Sequence, residues 1–183
     1  MGSDPATSLA ESLEGLEKPI VLGLVDPNRY QEAVESVLRY LTGRIHFGIY
    51  ITFNKPFATL TKSFEKVGLP VESLFFIDGI TTASSSGEEG SHTCLGPAAD
   101  LSNVCVATSK AVSRFNDEKF IVLDSLSTLL IYNDSQTVAK FAHLLTEKMR
   151  RWGTSGFLLT CEMNPRRDLV PTLAPFCDKV VKL

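Results

Sequence analysis

The sequence predicts an α/β fold with three layers, α/β/α. The middle layer is a mostly parallel sheet of about six strands. Short apolar runs recur along the chain, as is typical of strands buried on both faces. They alternate with segments whose apolar residues follow the helical spacing of 3.6. This alternation places helices on both faces of a parallel sheet. With 183 residues, 44% hydrophobic and 21% charged, the chain has the size and composition of one globular domain.

The first strand and helix are the most clearly marked elements. Ile20 to Val25 is a run of branched and apolar residues that predicts a buried strand. Asp26 suits the N-cap of the helix that follows, Pro27 its first position, and Gly43 its C-terminal end. One apolar stripe supports this helix, and it consists of Tyr30, Ala33, Val34, Val37, Leu38 and Leu41.

The remaining elements repeat this order. Further strands are predicted at residues 47–53, 74–78, 120–124, 156–161 and 179–183. Further helices are predicted over residues 57–67, 101–115 and 138–152, with Gly68 and Pro70 after the first, Asp100 as the cap of the second and Gly153 after the third. The stretch 82–97 is rich in Ser, Gly and Glu, which predicts a surface loop.

The start of the chain is expected to lie outside this alternation. Residues 1–18 are predicted to be a polar tail and leader segment, and residues 19–183 a single domain. Leu9, Leu13 and Leu16 have the spacing of a short leader helix. Whether residues 1–8 are native or a cloning remnant stays open.

Charge and cysteine content narrow the function classes. A formal net charge of −3 gives no signature of nucleic-acid binding, for which a basic face is typical. No apolar run reaches the roughly 18–20 residues that span a bilayer, and the first residues do not resemble an export signal. Four scattered cysteines without C-x-x-C spacing indicate reduced thiols and no metal site. The sequence therefore predicts a cytoplasmic protein with no membrane association.

The turn after the first strand is where a ligand is expected, because open α/β sheets bind ligands outside the carboxyl ends of their strands. A phosphate-binding loop there requires G-x-x-x-x-G-K-[ST]. When Gly23 is aligned with the first glycine, Asn28 takes the place of the second, Arg29 that of the lysine and Tyr30 that of the Ser or Thr.

These replacements weaken a phosphate site. Pro27 has no N–H group to offer a phosphate oxygen, and Asp26 places a negative charge where polyphosphate would lie. The Asp26 side chain can instead cap the helix, which satisfies the donors that attract anions. Tyr30 cannot replace a compact hydroxyl as a magnesium ligand. The turn is therefore predicted to be a self-capped helix start.

The order of elements resembles that of the RecA-like ATPases, and within them the KaiC-like archaeal and bacterial branch. Ile20 to Val25 resembles the strand that enters the phosphate loop, and Phe120 to Ser125 the Walker B strand. Residues 157–162 and 177–183 are similar to the closing pair of strands. The resemblance implies a RecA-like fold over nearly the whole chain, with Asp124 at the magnesium shell.

The departures from that family favour a domain without catalysis. After the second strand, the family has acidic residues that activate water, whereas this chain has Asn54 and Lys55. Neither is a general base at neutral pH. The favoured hypothesis is a pseudo-ATPase without catalytic residues, metal or cofactor, which binds a protein partner or itself. The alternative is a sensor or weak ATPase that binds ATP with Mg²⁺ at a vestigial site, formed by Asn28, Arg29, Tyr30 and Asp124.

Overall fold

The computed structural model describes residues 5–81, 88–96, 100–162 and 169–183. Within these ranges the helices are α1 (Pro5–Ser12), α2 (Tyr30–Thr42), α3 (Phe57–Lys66), α4 (Leu101–Arg114), α5 (Leu126–Tyr132), α6 (Ser135–Trp152) and α7 (Leu169–Leu173). The strands are β1 (Ile20–Val25), β2 (Phe47–Thr52), β3 (Leu74–Asp78), β4 (Glu88–Glu89), β5 (His92–Cys94), β6 (Lys119–Asp124), β7 (Ser155–Cys161) and β8 (Lys179–Lys182). Short 3₁₀ turns lie at Pro27–Arg29, Val71–Ser73 and Ala174–Phe176.

The strands form one sheet in the order β4-β5-β3-β2-β6-β7-β1-β8. All neighbouring strands are parallel except β4 and β5, which are antiparallel. The six predicted strands are all present, and the mostly parallel sheet is confirmed. Because β1, β2 and β6 run the same way, the residues that follow them meet at one edge of the sheet.

Two hydrophobic clusters, one on each face of the sheet, confirm the three-layer arrangement. The β1 side chains alternate between them: Ile20 and Leu22 pack into one cluster, and Val21 and Val25 into the other. The cluster with Val21 is covered by α1, α2 and α3, and the opposite cluster by α4, α5, α6 and α7. The near-continuous apolar strands thus reflect burial on both faces.

Several predicted helix boundaries are confirmed by their hydrogen bonds. The Asp100 side chain accepts from the backbone N–H of Ser102 at 3.0 Å and caps α4. Gly153 ends α6 with a φ of 61°, a left-handed conformation that glycine adopts without steric cost. Gly43 caps the end of α2 through its backbone N–H.

The leader segment contains a short helix, α1, but this helix ends at Ser12, so only Leu9 of the three predicted leucines lies in it. Leu9 and Leu13 are buried against the cluster under α2, whereas the third leucine of the stripe, Leu16, is 40% exposed. The leader thus adds apolar contacts to the domain.

The prediction of a surface loop over residues 82–97 was wrong for part of that stretch. Residues 88–94 contain β4 and β5, and β5 extends the sheet by pairing with β3 at Phe76 and His92. This pairing satisfies backbone groups of β3, a need that the polar local sequence does not reveal. Residues 82–87 and 97–99 lie outside the described part of the chain.

No helix in the described ranges is both long enough and apolar enough to cross a lipid bilayer.

Candidate functional site

Asp124 is the centre of a buried polar cluster at the carboxyl edge of the sheet. It is the last residue of β6, and its register partner on β2 is Thr52, the last residue of that strand. Only 2% of Asp124 is exposed. A carboxylate at this depth requires hydrogen-bond donors, because a buried charge without partners is strongly unfavourable.

Three side chains from two other elements provide these donors. The Tyr30 hydroxyl and the Asn54 amide both donate to Oδ1 of Asp124. The Tyr50 hydroxyl donates to Oδ2. Tyr30 begins α2, Tyr50 lies on β2 and Asn54 follows β2, so the fold brings together residues up to 94 positions apart.

Two further hydrogen bonds fix the Asn54 side-chain amide. Its Nδ2 also donates to the Tyr30 hydroxyl oxygen at 3.0 Å, and its Oδ1 accepts from the Thr128 hydroxyl. Thr128 lies in the first turn of α5, where its backbone N–H donates to Ser125 Oγ at 3.4 Å. The orientation of Asn54 is therefore set by β6, α2 and α5 together.

Burial dominates the electrostatics of this cluster. It raises the pKa of Asp124, while the hydrogen bonds from Tyr30 and Tyr50, the charge of Lys55 and the Asn54 bond act in the opposite direction. The pKa of Tyr30 and that of Tyr50 are also raised, first by burial and then by the nearby Asp124 charge. Both hydroxyls therefore remain protonated donors at neutral pH.

The turn between β1 and α2 has the predicted self-capped form, although the cap serves a 3₁₀ turn rather than α2 itself. Oδ1 of Asp26 accepts from the backbone N–H of Asn28 at 2.9 Å and from its side-chain amide at 3.1 Å. The N–H of Arg29 donates to the Asp26 carbonyl at 3.0 Å. Pro27 begins the turn and has no N–H group.

The four residues of the predicted nucleotide site fall into two groups. Tyr30 and Asp124 are joined by a direct hydrogen bond. Asn28 instead contacts Asp26, and Arg29 forms an exposed ion pair with Glu32 at 2.9 Å. In this structure neither Asn28 nor Arg29 has a hydrogen bond to the Asp124 cluster among the described residues.

Sequence reasoning missed the roles of Tyr50 and Thr128. Tyr50 is fully buried in β2, and the sequence predicted only that it belongs to the strand at residues 47–53. A buried tyrosine hydroxyl nevertheless needs a partner, and this need was the available signal. Thr128 lies on α5, a helix that was not predicted. Asn54 was identified only as a replacement for a catalytic acid, not as a donor to Asp124.

The strand-end Asp78 has a structural role. Its carboxylate accepts from the N–H groups of Phe57 and Ile80, each at 2.8 Å, and from Thr81 N–H at 2.9 Å. Burial raises its pKa, but these bonds and one from the Thr81 hydroxyl outweigh that effect, so the pKa lies below its usual value. Asp78 therefore holds the start of α3 beside the end of β3.

Metal-binding geometry is not evident within the described ranges, where no three His, Cys, Asp or Glu side chains converge. Asp124 has about four lone-pair positions on its two oxygens, and three donors already occupy three of them. A magnesium ion that bound both carboxylate oxygens would have to displace at least one of these donors, because Oδ1 already accepts two hydrogen bonds.

Comparison with known proteins identifies both family and fold. The model of a family of unknown function, DUF7504, matches residues 49–183. No curated protein matches this sequence.

Two solved structures from Pyrococcus horikoshii share the fold. A KaiC-like protein of strain OT3 has a TM-score of 0.68 and 13% identity, covering 95% of this chain and 76% of that one. An uncharacterized protein in complex with an unknown peptide has a TM-score of 0.69 and 14% identity, with 96% and 82% covered. The chain therefore has a KaiC-like, RecA-type α/β fold.

Proposed function

The chain belongs to DUF7504, a family of unknown function, and we propose that it is a pseudo-ATPase: a RecA/KaiC-like domain without catalytic activity that acts as a protein-interaction or regulatory module. The observation that carries this proposal is the buried cluster around Asp124. The carboxylate that a RecA-like ATPase would direct toward magnesium is directed here toward Tyr30, Tyr50 and Asn54.

The phosphate side of the fold supports the same proposal. A phosphate cradle depends on free N–H groups and partial positive charge at a helix start. Here the Asp26 carboxylate accepts a hydrogen bond from the Asn28 N–H, and Pro27 has no N–H group. Arg29, at the position of the phosphate-binding lysine, is paired with Glu32. Phosphoryl transfer requires lysine, magnesium and a water-orienting group together.

An exposed apolar pair supports a role in binding protein. Ile131 and Tyr132, at the end of α5, are 72% and 73% exposed. Exposed apolar surface of this kind marks interaction sites when it is contiguous, and α5 contributes directly to the Asp124 cluster through Thr128. The Pyrococcus structure that holds an unknown peptide has the same fold, and we extend peptide binding to this chain on that basis.

Isothermal titration calorimetry with Mg-ATP tests the loss of nucleotide binding. We expect no saturable heat up to millimolar Mg-ATP. Binding with micromolar affinity would overturn the proposal and favour the alternative, a sensor or weak ATPase that holds ATP with Mg²⁺.

A thermal-shift experiment separates these two functions by a second route. A ligand that binds only the folded state raises the melting temperature by mass action. The pseudo-ATPase predicts an unchanged melting temperature with ATP or ADP. The alternative predicts an increase that disappears in Arg29→Ala and in Asp124→Ala. Lys62→Ala, which changes an exposed α3 lysine outside the Asp124 cluster, should retain the increase.

A further inference from the structure

Two cavities lie side by side at the carboxyl edge of the sheet. The first has a volume of about 350 Å³ and is bounded by α2, Lys55 and Asp124. The second has a volume of about 250 Å³ and lies between the turns after β2 and β3 and the helices α4 and α5. Asn54 and Thr128 line both cavities, and the hydrogen bond between them forms the shared wall. We call the two cavities together the carboxyl-edge groove.

The two halves of this groove differ in chemistry. Among the described residues that line it, Lys55 is the only one with a basic side chain, and it belongs to the first cavity. None of the described residues that line the second cavity is charged, and its apolar side chains are Phe53, Ile80, Leu101, Leu129 and Tyr132. An anionic group thus suits the first half and an apolar side chain the second.

Lys55 is available to an incoming anion. Its side chain is exposed, and its Nζ lies 3.1 Å from the neutral Oε1 of Gln31. It forms no ion pair with a described residue. The one acidic side chain of the described lining, Asp124, is buried and accepts three hydrogen bonds from Tyr30, Tyr50 and Asn54. The Lys55 ammonium group therefore has no carboxylate of a described residue within ion-pair distance, and the buried Asp124 acts on it only through its charge.

We infer that the carboxyl-edge groove binds an extended acidic peptide segment of a partner protein. A Glu or Asp side chain of the peptide pairs with Lys55, and an apolar side chain enters the second cavity beside Tyr132. The peptide backbone crosses the Asn54–Thr128 bridge. Side chains on one face of an extended peptide recur about every 7 Å, so successive side chains on that face can enter different cavities. This inference rests on the proposed function and gives it a site and a partner chemistry.

The probe is a library of random peptides displayed on phage, selected against the full chain. We expect the selected peptides to share an acidic residue close to an aromatic or long aliphatic one. Synthetic copies, measured by fluorescence anisotropy, should lose about tenfold or more in affinity for Lys55→Glu and for Tyr132→Ser. A copy of the peptide with its acidic residue changed to Lys should show a similar loss on the wild-type protein.

Two matched variants serve as controls. Lys62→Glu makes the same charge change on an exposed α3 lysine outside the described groove lining, and Val106→Ser removes an apolar side chain that is 54% exposed on α4. Both should bind the selected peptides like the wild type. Circular dichroism of each variant confirms that it is folded before its affinity is compared.

Three results would overturn the inference: no enriched peptide, enriched peptides without an acidic residue, or losses of affinity equal in the control variants. If one of these results occurs while Mg-ATP still gives no heat in calorimetry, the groove does not bind acidic peptides, but the proposal of a non-catalytic domain stands. Micromolar Mg-ATP binding overturns that assignment whatever the peptides show.

Discussion

The substitution Tyr50→Phe tests the cluster at its most buried donor. The Tyr50 ring lies in an aromatic group with Phe64 and Phe76, at centroid distances of 5.5 and 5.8 Å, and phenylalanine retains these contacts. Only the hydroxyl is lost, and among the described residues it is the sole donor to Oδ2 of Asp124. The perturbation therefore isolates one hydrogen bond to a buried carboxylate.

The expected cost follows from the charge of the acceptor. Hydrogen bonds to charged groups contribute about 1.5–3 kcal/mol to stability, and their loss leaves a buried charge less satisfied. We expect the free energy of unfolding at pH 7 to fall by about 2 kcal/mol. For a domain of this size that corresponds to a decrease of roughly 4–8 °C in melting temperature.

A double-mutant cycle in urea denaturation measures this directly. Tyr50→Phe is compared with wild type and again in an Asp124→Asn background, where the acceptor carries no charge. The cost should shrink in that background, because the two residues are in direct contact. Tyr132→Phe, which removes a hydroxyl from a side chain that is 73% exposed, is the matched control and should be neutral. A change for Tyr50→Phe within about 0.5 kcal/mol of zero, or the same cost in both backgrounds, would refute the reasoning.

The two buried carboxylates, Asp124 and Asp78, give further predictions. The pKa of Asp124 is raised above its ordinary 3.8, so the folded state keeps a proton that the unfolded chain has released. The contribution of Asp124 to stability is therefore fully present below about pH 4 and is lost as the pH rises through its folded pKa; Asp124→Asn should remove that decline in urea titrations at several pH values. Asp78→Ala leaves the N–H groups of Phe57, Ile80 and Thr81 without their acceptor and should cost about 3 kcal/mol at pH 7. Because the Asp78 pKa is lowered, this cost should shrink as the pH falls through it, and a cost independent of pH would contradict the assignment.

The fold was largely predictable because its signals are local. The α2 stripe, the Asp100 cap and the Gly153 stop each depend on a few neighbouring residues, and all are present in the structure. The near-continuous apolar runs of the strands indicate burial on both faces of the sheet, and they can be recognised in the sequence without knowledge of distant contacts. The elements that escaped prediction, β4, β5, α5 and α7, are short, and β5 is stabilised by pairing with β3 rather than by its own sequence.

The candidate site was less predictable because it depends on contacts between distant residues. Asp26 caps its own turn through a contact two residues away, and this was predicted. The Tyr50 hydroxyl reaches Asp124 across 74 positions, and the Asn54 amide across 70. No local pattern encodes these distances, although a buried tyrosine and a buried strand-end acid each required a partner. Burial implies that each group needs a partner, but nothing in the sequence shows that Tyr50 and Asp124 are partners of each other.

The position of β1 has a practical consequence for dissecting this protein. The stretch covered by the family model begins at residue 49, within β2, yet β1 lies between β7 and β8. A fragment restricted to that stretch would remove an interior strand and leave two later strands with exposed backbone edges, which promote aggregation. Residues 20–25 are thus as necessary to the sheet as any of those that the family model recognises.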